Sequence, residues 1–204
     1  MTEIAIADLS PAQRRLAVKA RDAAERGEVE VARAMSRQIL SERPECVGVR
    51  ELWFKAELQV RRRPRGWWQG LRQRLGGSAK AKASAEDPMA DLRSADVALA
   101  ADFTNPVSWR SLIQAARALA LPETTLLACQ TYAKLRPHEV AVGLGWAEAL
   151  LNAGRAAEAL EVAQTWLQKK PNDSQVVALV RRASVKVTMK SGRLGASSSE
   201  NDSA

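Results

Sequence analysis

Two prolines give the chain a period: Pro137 and Pro171 lie 34 residues apart, each at the end of a segment with apolar residues at helical spacing. The stretch between them contains two such segments, which meet at a turn containing Gly154. Glycine adopts the backbone conformation of a helix-ending turn at little steric cost. The period therefore predicts a helical hairpin over 139–172.

The same register recurs twice upstream. Trp109 falls at the first large position of a segment that ends at Pro137, and Leu16 and Gly27 fall in register nearer the start. The composition agrees, because Ala and Leu dominate and runs of strand-forming residues are missing. We therefore predict further hairpins over 11–44 and 105–138.

A fourth hairpin, over 45–104, is interrupted. Its helices are predicted at about 47–60 and 88–102, and the distance from Pro44 to Phe103 exceeds the period by 25 residues. The excess lies at the turn, where an insertion leaves the packed helix faces untouched. The insertion is placed at 62–87.

These segments resemble tetratricopeptide repeats, which have a large residue, then Leu and a small residue, then Gly-x-x-x-x-Ala and a closing Pro. The resemblance covers roughly 11–190 and implies an all-α fold. That fold is a right-handed α-solenoid of about four helical hairpins, closed by a capping helix at 173–190. The tail 191–204 is small and polar, and we expect it to be disordered.

In tetratricopeptide proteins, the first helix of each hairpin lines a concave groove that binds a partner. Position by position, the resemblance implies that eight charged or polar residues line this groove: Arg14, Arg21, Lys55, Arg110, Gln114, Arg117, Glu148 and Asn152. The same positions include three further charged or polar residues, Glu25, Glu51 and Gln59. They also include nine small or apolar residues: Ala17, Ala24, Gly48, Leu58, Val107, Ala118, Ala141, Leu144 and Leu151. Basic residues outnumber acidic ones, which suits a protein or peptide partner of acidic character. The alternative is that these charges only solvate an exposed face.

The net charge of +8 belongs to one segment. Residues 61–82 contain six Arg, two Lys and no acidic residue. Without these eight, the 31 basic residues fall to 23, which equals the number of acidic residues. The insertion is therefore a second candidate site.

Within the insertion, an apolar stripe at helical spacing lies beside arginines. The stripe is Trp67, Trp68, Leu71 and Leu75; the arginines are Arg61, Arg62, Arg63, Arg65, Arg72 and Arg74. A cationic, Trp-rich helix suits an anionic membrane surface. Arginine on phosphates and Trp stacked on bases also suit nucleic acid, the less favoured reading. The remaining alternative is that the tryptophans fold back onto the helices.

Residues with catalytic chemistry are few. The chain has one histidine, His138, and two distant cysteines, Cys46 and Cys129, which provide neither a metal-ligand set nor a Cys–His pair. We expect no enzymatic activity, metal or cofactor. Without a signal peptide or an apolar run of about 20 residues, a cytoplasmic protein is expected, or a peripheral one if the insertion docks on membrane.

Overall fold

The computed structural model describes residues 2–62 and 87–199, and the side chains up to 189. A short 3-10 helix over Ile6–Asp8 precedes the α-helices. In chain order these are α1 (Pro11–Arg26), α2 (Val29–Glu42), α3 (Val47–Arg62), α4 (Pro88–Ala101), α5 (Pro106–Ala118), α6 (Pro122–Leu135), α7 (Val140–Asn152), α8 (Ala156–Lys169) and α9 (Ser174–Ser199).

The predicted all-α fold of successive helical hairpins and a final helix is confirmed. Within the described residues, α1 packs on α2, α7 packs on α8, and α9 packs on both α7 and α8. The final helix continues to Ser199, beyond the end expected at 190. No proline follows Pro171 to interrupt it.

The described residues form two compact units, one within residues 1–128 and the other within residues 129–204. Three helices of the first unit begin where the sequence provides a cap. Ser10 and Gln13 form a capping box at α1, Asp87 caps α4, and Asn105 caps α5. Each of these three helices also has proline in its first turn, where the missing N–H costs nothing.

An aromatic cluster forms part of the core of the first unit. Trp53, Phe54, Phe103 and Trp109 are all buried, and their ring centroids lie 5.0–6.2 Å apart. The indole N–H of Trp109 donates to the carbonyl oxygen of Phe103 at 2.7 Å. Phe103, which stands where the repeat pattern has its closing proline, therefore ties the second hairpin to α5.

A buried ion pair joins α3 and α4, the helices on either side of the insertion. Arg50 is fully buried, and both oxygens of Asp96 accept from its guanidinium, with Nη2 to Oδ2 at 2.9 Å. Nη2 also donates to the carbonyl oxygen of Pro44 at 2.8 Å. Burial raises the pKa of Asp96, while Arg50 acts in the opposite direction.

The segment before α1 contacts elements that are distant in sequence. The carboxylate of Glu3 accepts from the backbone N–H groups of Glu123 and Thr124, at 2.9 and 2.6 Å. Ile4 forms a parallel bridge with Cys46. Glu3 thus satisfies two of the donors that a helix N-terminus leaves without partners, here at the start of α6.

In the second unit, α8 and α9 both lie close to α7. An ideal Cβ placed on Gly143 would overlap the indole of Trp166, whereas one on Gly145 would meet nothing within 4 Å. From α9, Arg182 donates to Glu148 at 3.2 Å, and Lys186 donates to the carbonyl oxygen of Leu151 at 3.4 Å.

Candidate functional site

The first helices of three hairpins, α1, α3 and α5, lie next to one another in the first unit. Helix α1 packs on α3, and Phe54 of α3 contacts Trp109 of α5, with ring centroids 5.0 Å apart. The charged and polar groove residues predicted on these helices are all exposed, and they include Arg14, Arg21, Lys55, Arg110, Gln114 and Arg117. We call these six the first-helix surface.

Two residues of the first-helix surface form local ion pairs. Lys55 pairs with Glu51 one turn before it at 2.7 Å, and Arg21 pairs with its neighbour Asp22 at 3.7 Å. All four side chains are about half exposed or more. Exposed pairs of this kind contribute about 0–1 kcal/mol. Both basic groups therefore remain accessible to a partner at little cost.

Helix α5 carries three residues of the first-helix surface. Arg110, Gln114 and Arg117 are spaced by four and three residues, so they share one helix face. In the described parts of the chain, these side chains make no hydrogen bond or ion pair, and neither does Arg14. Two guanidinium groups and an amide thus stand in a row along α5 with their donors free for a ligand.

The two charged or polar groove residues predicted in the second unit have different surroundings. Glu148 is half-buried and paired with Arg182 of α9, whereas Asn152 is exposed. Leu144 and Leu151 were expected to line the groove, and that expectation is wrong because both are buried. Lys186 bonds to the backbone of Leu151, so α9 packs where a groove would require an open face.

Two small residues expected in the groove are also covered. Ala17 is 1% exposed and belongs to the core between α1 and its neighbours. Gly48 lies beneath Ile6, whose Cγ1 would be 2.9 Å from a Cβ at that position. The repeat register places a residue on a helix, but it does not predict the segment before α1, which covers Gly48.

Most of the predicted docking insertion lies outside the described residues: Arg63, Arg65, Trp67, Trp68, Leu71, Arg72, Arg74 and Leu75. Arg62 is the last residue of α3. The guanidinium of Arg61 lies over the ring of Phe103, 5.6 Å from its centroid, and the residue is half-buried. Arg61 therefore packs on the aromatic cluster, a contact that the charge pattern did not predict.

A charged feature that the sequence analysis missed is the Arg50–Asp96 pair, together with the groove beside it. One signal was available, because Leu92, Ala95, Asp96 and Leu99 recur at one helical face and three of the four are apolar. An acidic residue on an apolar stripe indicates a buried charge that needs a partner. Nothing in the sequence identifies Arg50, 46 residues away, as that partner.

The chemical inventory of the described residues is small. They contain no cluster of three or more His, Cys, Asp or Glu that could bind a metal ion. Cys46 and Cys129 are both buried, and burial raises the pKa of the Cys46 thiol. Among the helices described, none combines the length and apolar character needed to cross a bilayer.

Comparison with known proteins assigns the chain to no family. The sequence matches no family model and no curated protein. Among solved structures, the chain is similar to a mutant form of MamA, at 16% sequence identity and a TM-score of 0.42. The similarity covers 94% of this chain and 96% of that chain.

Proposed function

We propose that this protein is a non-catalytic scaffold that binds a peptide or protein partner along the first-helix surface. The observation that carries the proposal is the row formed by Arg110, Gln114 and Arg117 on α5. These side chains are exposed and make no hydrogen bond or ion pair in the described parts of the chain. A rigid helix that holds several free donors in line presents them to a ligand at little cost in conformational entropy.

The charge of this surface defines the chemistry of the partner. Arginine binds carboxylates through two parallel N–H donors, and such bonds are stronger than neutral ones. The amide of Gln114 between the two arginines can accept from a peptide N–H as well as donate. An acidic peptide in extended or helical form fits this combination.

Reversing the charge on α5 tests the proposal. The variant is Arg110→Glu/Arg117→Glu, and the control is Lys170→Glu/Arg181→Glu, which changes the net charge equally at exposed positions in the second unit. Proteins that co-purify with the full-length chain are quantified by mass spectrometry for the wild type and both variants. We expect partners retained by the control to be lost from the α5 variant. Equal recovery by both variants would refute a role for the first-helix surface.

A second candidate function uses the insertion. Residues 61–82 carry eight basic residues and no acidic one, whereas the rest of the chain is balanced. A segment of this kind suits docking of the scaffold on an anionic membrane or, with less support, on nucleic acid. The protein would then be peripheral to a membrane while the helices recruit a partner.

This candidate is tested on the full chain and on a chain in which residues 63–82 are replaced by a Gly/Ser linker. Arg61 and Arg62 are kept because they belong to α3. Co-sedimentation with phosphatidylserine vesicles, and separately a mobility assay with single-stranded RNA, are run over a salt series. Binding at low salt that the linker chain lacks supports docking by the insertion. An intact chain that fails to bind either probe at low salt rules it out.

A further inference from the structure

A groove lies between α2 and α4, the second helices of the first two hairpins, and it is separate from the first-helix surface. Its volume is about 570 Å³. Helix α2 contributes Arg37, Gln38 and Ser41 to its wall, and α4 contributes Arg93 and Val97. All five residues are exposed, so the groove opens to solvent.

The positive charge in this groove is not balanced. Asp96 is the acidic residue among the lining residues, and both of its oxygens already accept from the buried Arg50. Arg37 is close enough to Asp96 to favour its ionised form, yet within the described ranges it makes no hydrogen bond or ion pair. Arg93 makes none there either. Two guanidinium groups therefore line the groove without an ion pair to any residue in the described parts of the chain.

The groove also offers apolar contact. Val97 is 60% exposed, one of the most exposed large apolar side chains among the described residues, and it lies one helical turn after Arg93. Leu40 and Trp53, which are almost fully buried, form the floor. A ligand that fits such a site has an apolar side chain with carboxylates on either side of it.

The chain's own insertion does not fit that description. Residues 61–82 carry six Arg and two Lys with no acidic residue, so Arg37 and Arg93 repel them. We infer that the groove between α2 and α4 is a second docking site, which takes an acidic peptide segment of a partner protein. An apolar side chain of that segment contacts Val97, and its carboxylates bind Arg37 and Arg93.

The test uses two reporter chains. Val97→Cys places a thiol in the groove, and Val107→Cys places one at the start of α5, beside the first-helix surface; the two valines are 60% and 53% exposed. Both native cysteines are buried, so a bimane label reacts with the introduced thiol. The probe is a synthetic dodecapeptide of glutamates with a central Leu-Trp pair, because Trp quenches bimane on contact. A matched peptide carries lysine in place of every glutamate.

We expect the acidic peptide to quench the label at position 97 and the lysine peptide not to. Arg37→Glu/Arg93→Glu in the same reporter chain should weaken binding at least tenfold, whereas Lys170→Glu/Arg181→Glu, the equal charge reversal at exposed positions of the second unit, should leave it unchanged. If charge reversal disturbs the fold, as judged by thermal unfolding, Arg37→Gln/Arg93→Gln replaces it with the same expectation.

Three results would overturn the inference: no quenching at 97, equal quenching by the lysine peptide, or binding that survives the loss of both arginines. The reporter at 107 keeps the two proposals distinguishable. Quenching at 107 alone leaves the proposed function intact and refutes the second site. Quenching at 97 alone supports the second site and removes peptide binding by the first-helix surface.

Discussion

The indole of Trp166 occupies the space in which a side chain at Gly143 would begin. Gly143 lies on α7 and Trp166 on α8, so this contact sets how closely the two helices of the last hairpin approach. An ideal Cβ at Gly143 would overlap Nε1 and two ring carbons of the indole. Two residues further along α7, Gly145 has open space instead.

This difference predicts opposite effects for the same substitution. Gly143→Ala should lower the free energy of unfolding by about 1–3 kcal/mol, because a buried, rigid ring must move. Gly145→Ala should raise it by about 0.5–1 kcal/mol, because alanine favours the helix. Urea denaturation followed by circular dichroism measures both. Adding Trp166→Leu to Gly143→Ala should recover part of the loss, and two alanine variants of equal stability would contradict the packing of this hairpin.

The buried pair of Arg50 and Asp96 predicts strong non-additivity. Asp96→Ala leaves a buried guanidinium without its anion and should destabilise the chain by about 3–5 kcal/mol. Arg50→Met/Asp96→Leu removes both charges and should cost less than Asp96→Ala alone. The double variant should still be less stable than the wild type, because the carbonyl oxygen of Pro44 loses its donor, which costs about 1–3 kcal/mol. Chemical denaturation of Arg50→Met, Asp96→Leu and the double variant completes the double-mutant cycle, and additive effects would show that the pair is not coupled.

The contact of Glu3 with α6 predicts a local effect far along the chain. Glu3→Ala removes the acceptor for two backbone N–H groups and should cost about 0.5–2 kcal/mol, as the loss of a helix cap does. Amide exchange at Thr124 should accelerate. The control is Glu25→Ala, which removes an exposed carboxylate on α1. Unchanged exchange at Thr124 in the Glu3 variant would mean that the cap is absent in solution.

The buried Cys46 thiol predicts a loss of stability at alkaline pH. Burial raises the folded-state pKa above the ordinary value of 9.0, so above that pH the unfolded chain loses the thiol proton and the folded chain keeps it. The folded state then binds more protons, and stability falls as pH rises from 9.0 towards the raised folded pKa. Cys46→Ala should show a smaller loss than the wild type between neutral and alkaline pH, measured by urea denaturation. Parallel pH profiles for the two chains would contradict the burial of this thiol.

The helices and their order could be predicted because their causes are local. Pro137 and Pro171 end two helices within a few residues, and Gly27 and Gly154 adopt the positive φ angles that helix-ending turns require. The six exposed residues of the first-helix surface follow from the same register, because a period of 3.6 places core and solvent faces on opposite sides.

Other features depend on which helices contact one another, and the repeat pattern does not specify those contacts. The groove of Arg37 and Arg93 exists because residues of α2 and α4, which are distant in sequence, line one cavity. Lys186 of α9 donates to the backbone of the buried Leu151, a contact that no spacing predicts. Gly143 and Gly145 have the same local context, and only the location of Trp166 distinguishes them.

The segment before α1, residues 3–6, affects how the first unit unfolds. In an array of hairpins, each repeat contacts its neighbours, so an end repeat can fray while the others stay folded. Here Glu3 accepts a hydrogen bond from the start of α6, in the third hairpin. Ile4 forms a bridge with Cys46, just before the second hairpin, and Ile6 covers Gly48 on α3. This short segment thus couples hairpins that are not adjacent. Opening the first hairpin requires breaking the hydrogen bonds between Glu3 and α6 of the third hairpin. We therefore expect the first unit to unfold in a single cooperative step. Chains that lack the segment before α1 should populate partly frayed intermediates.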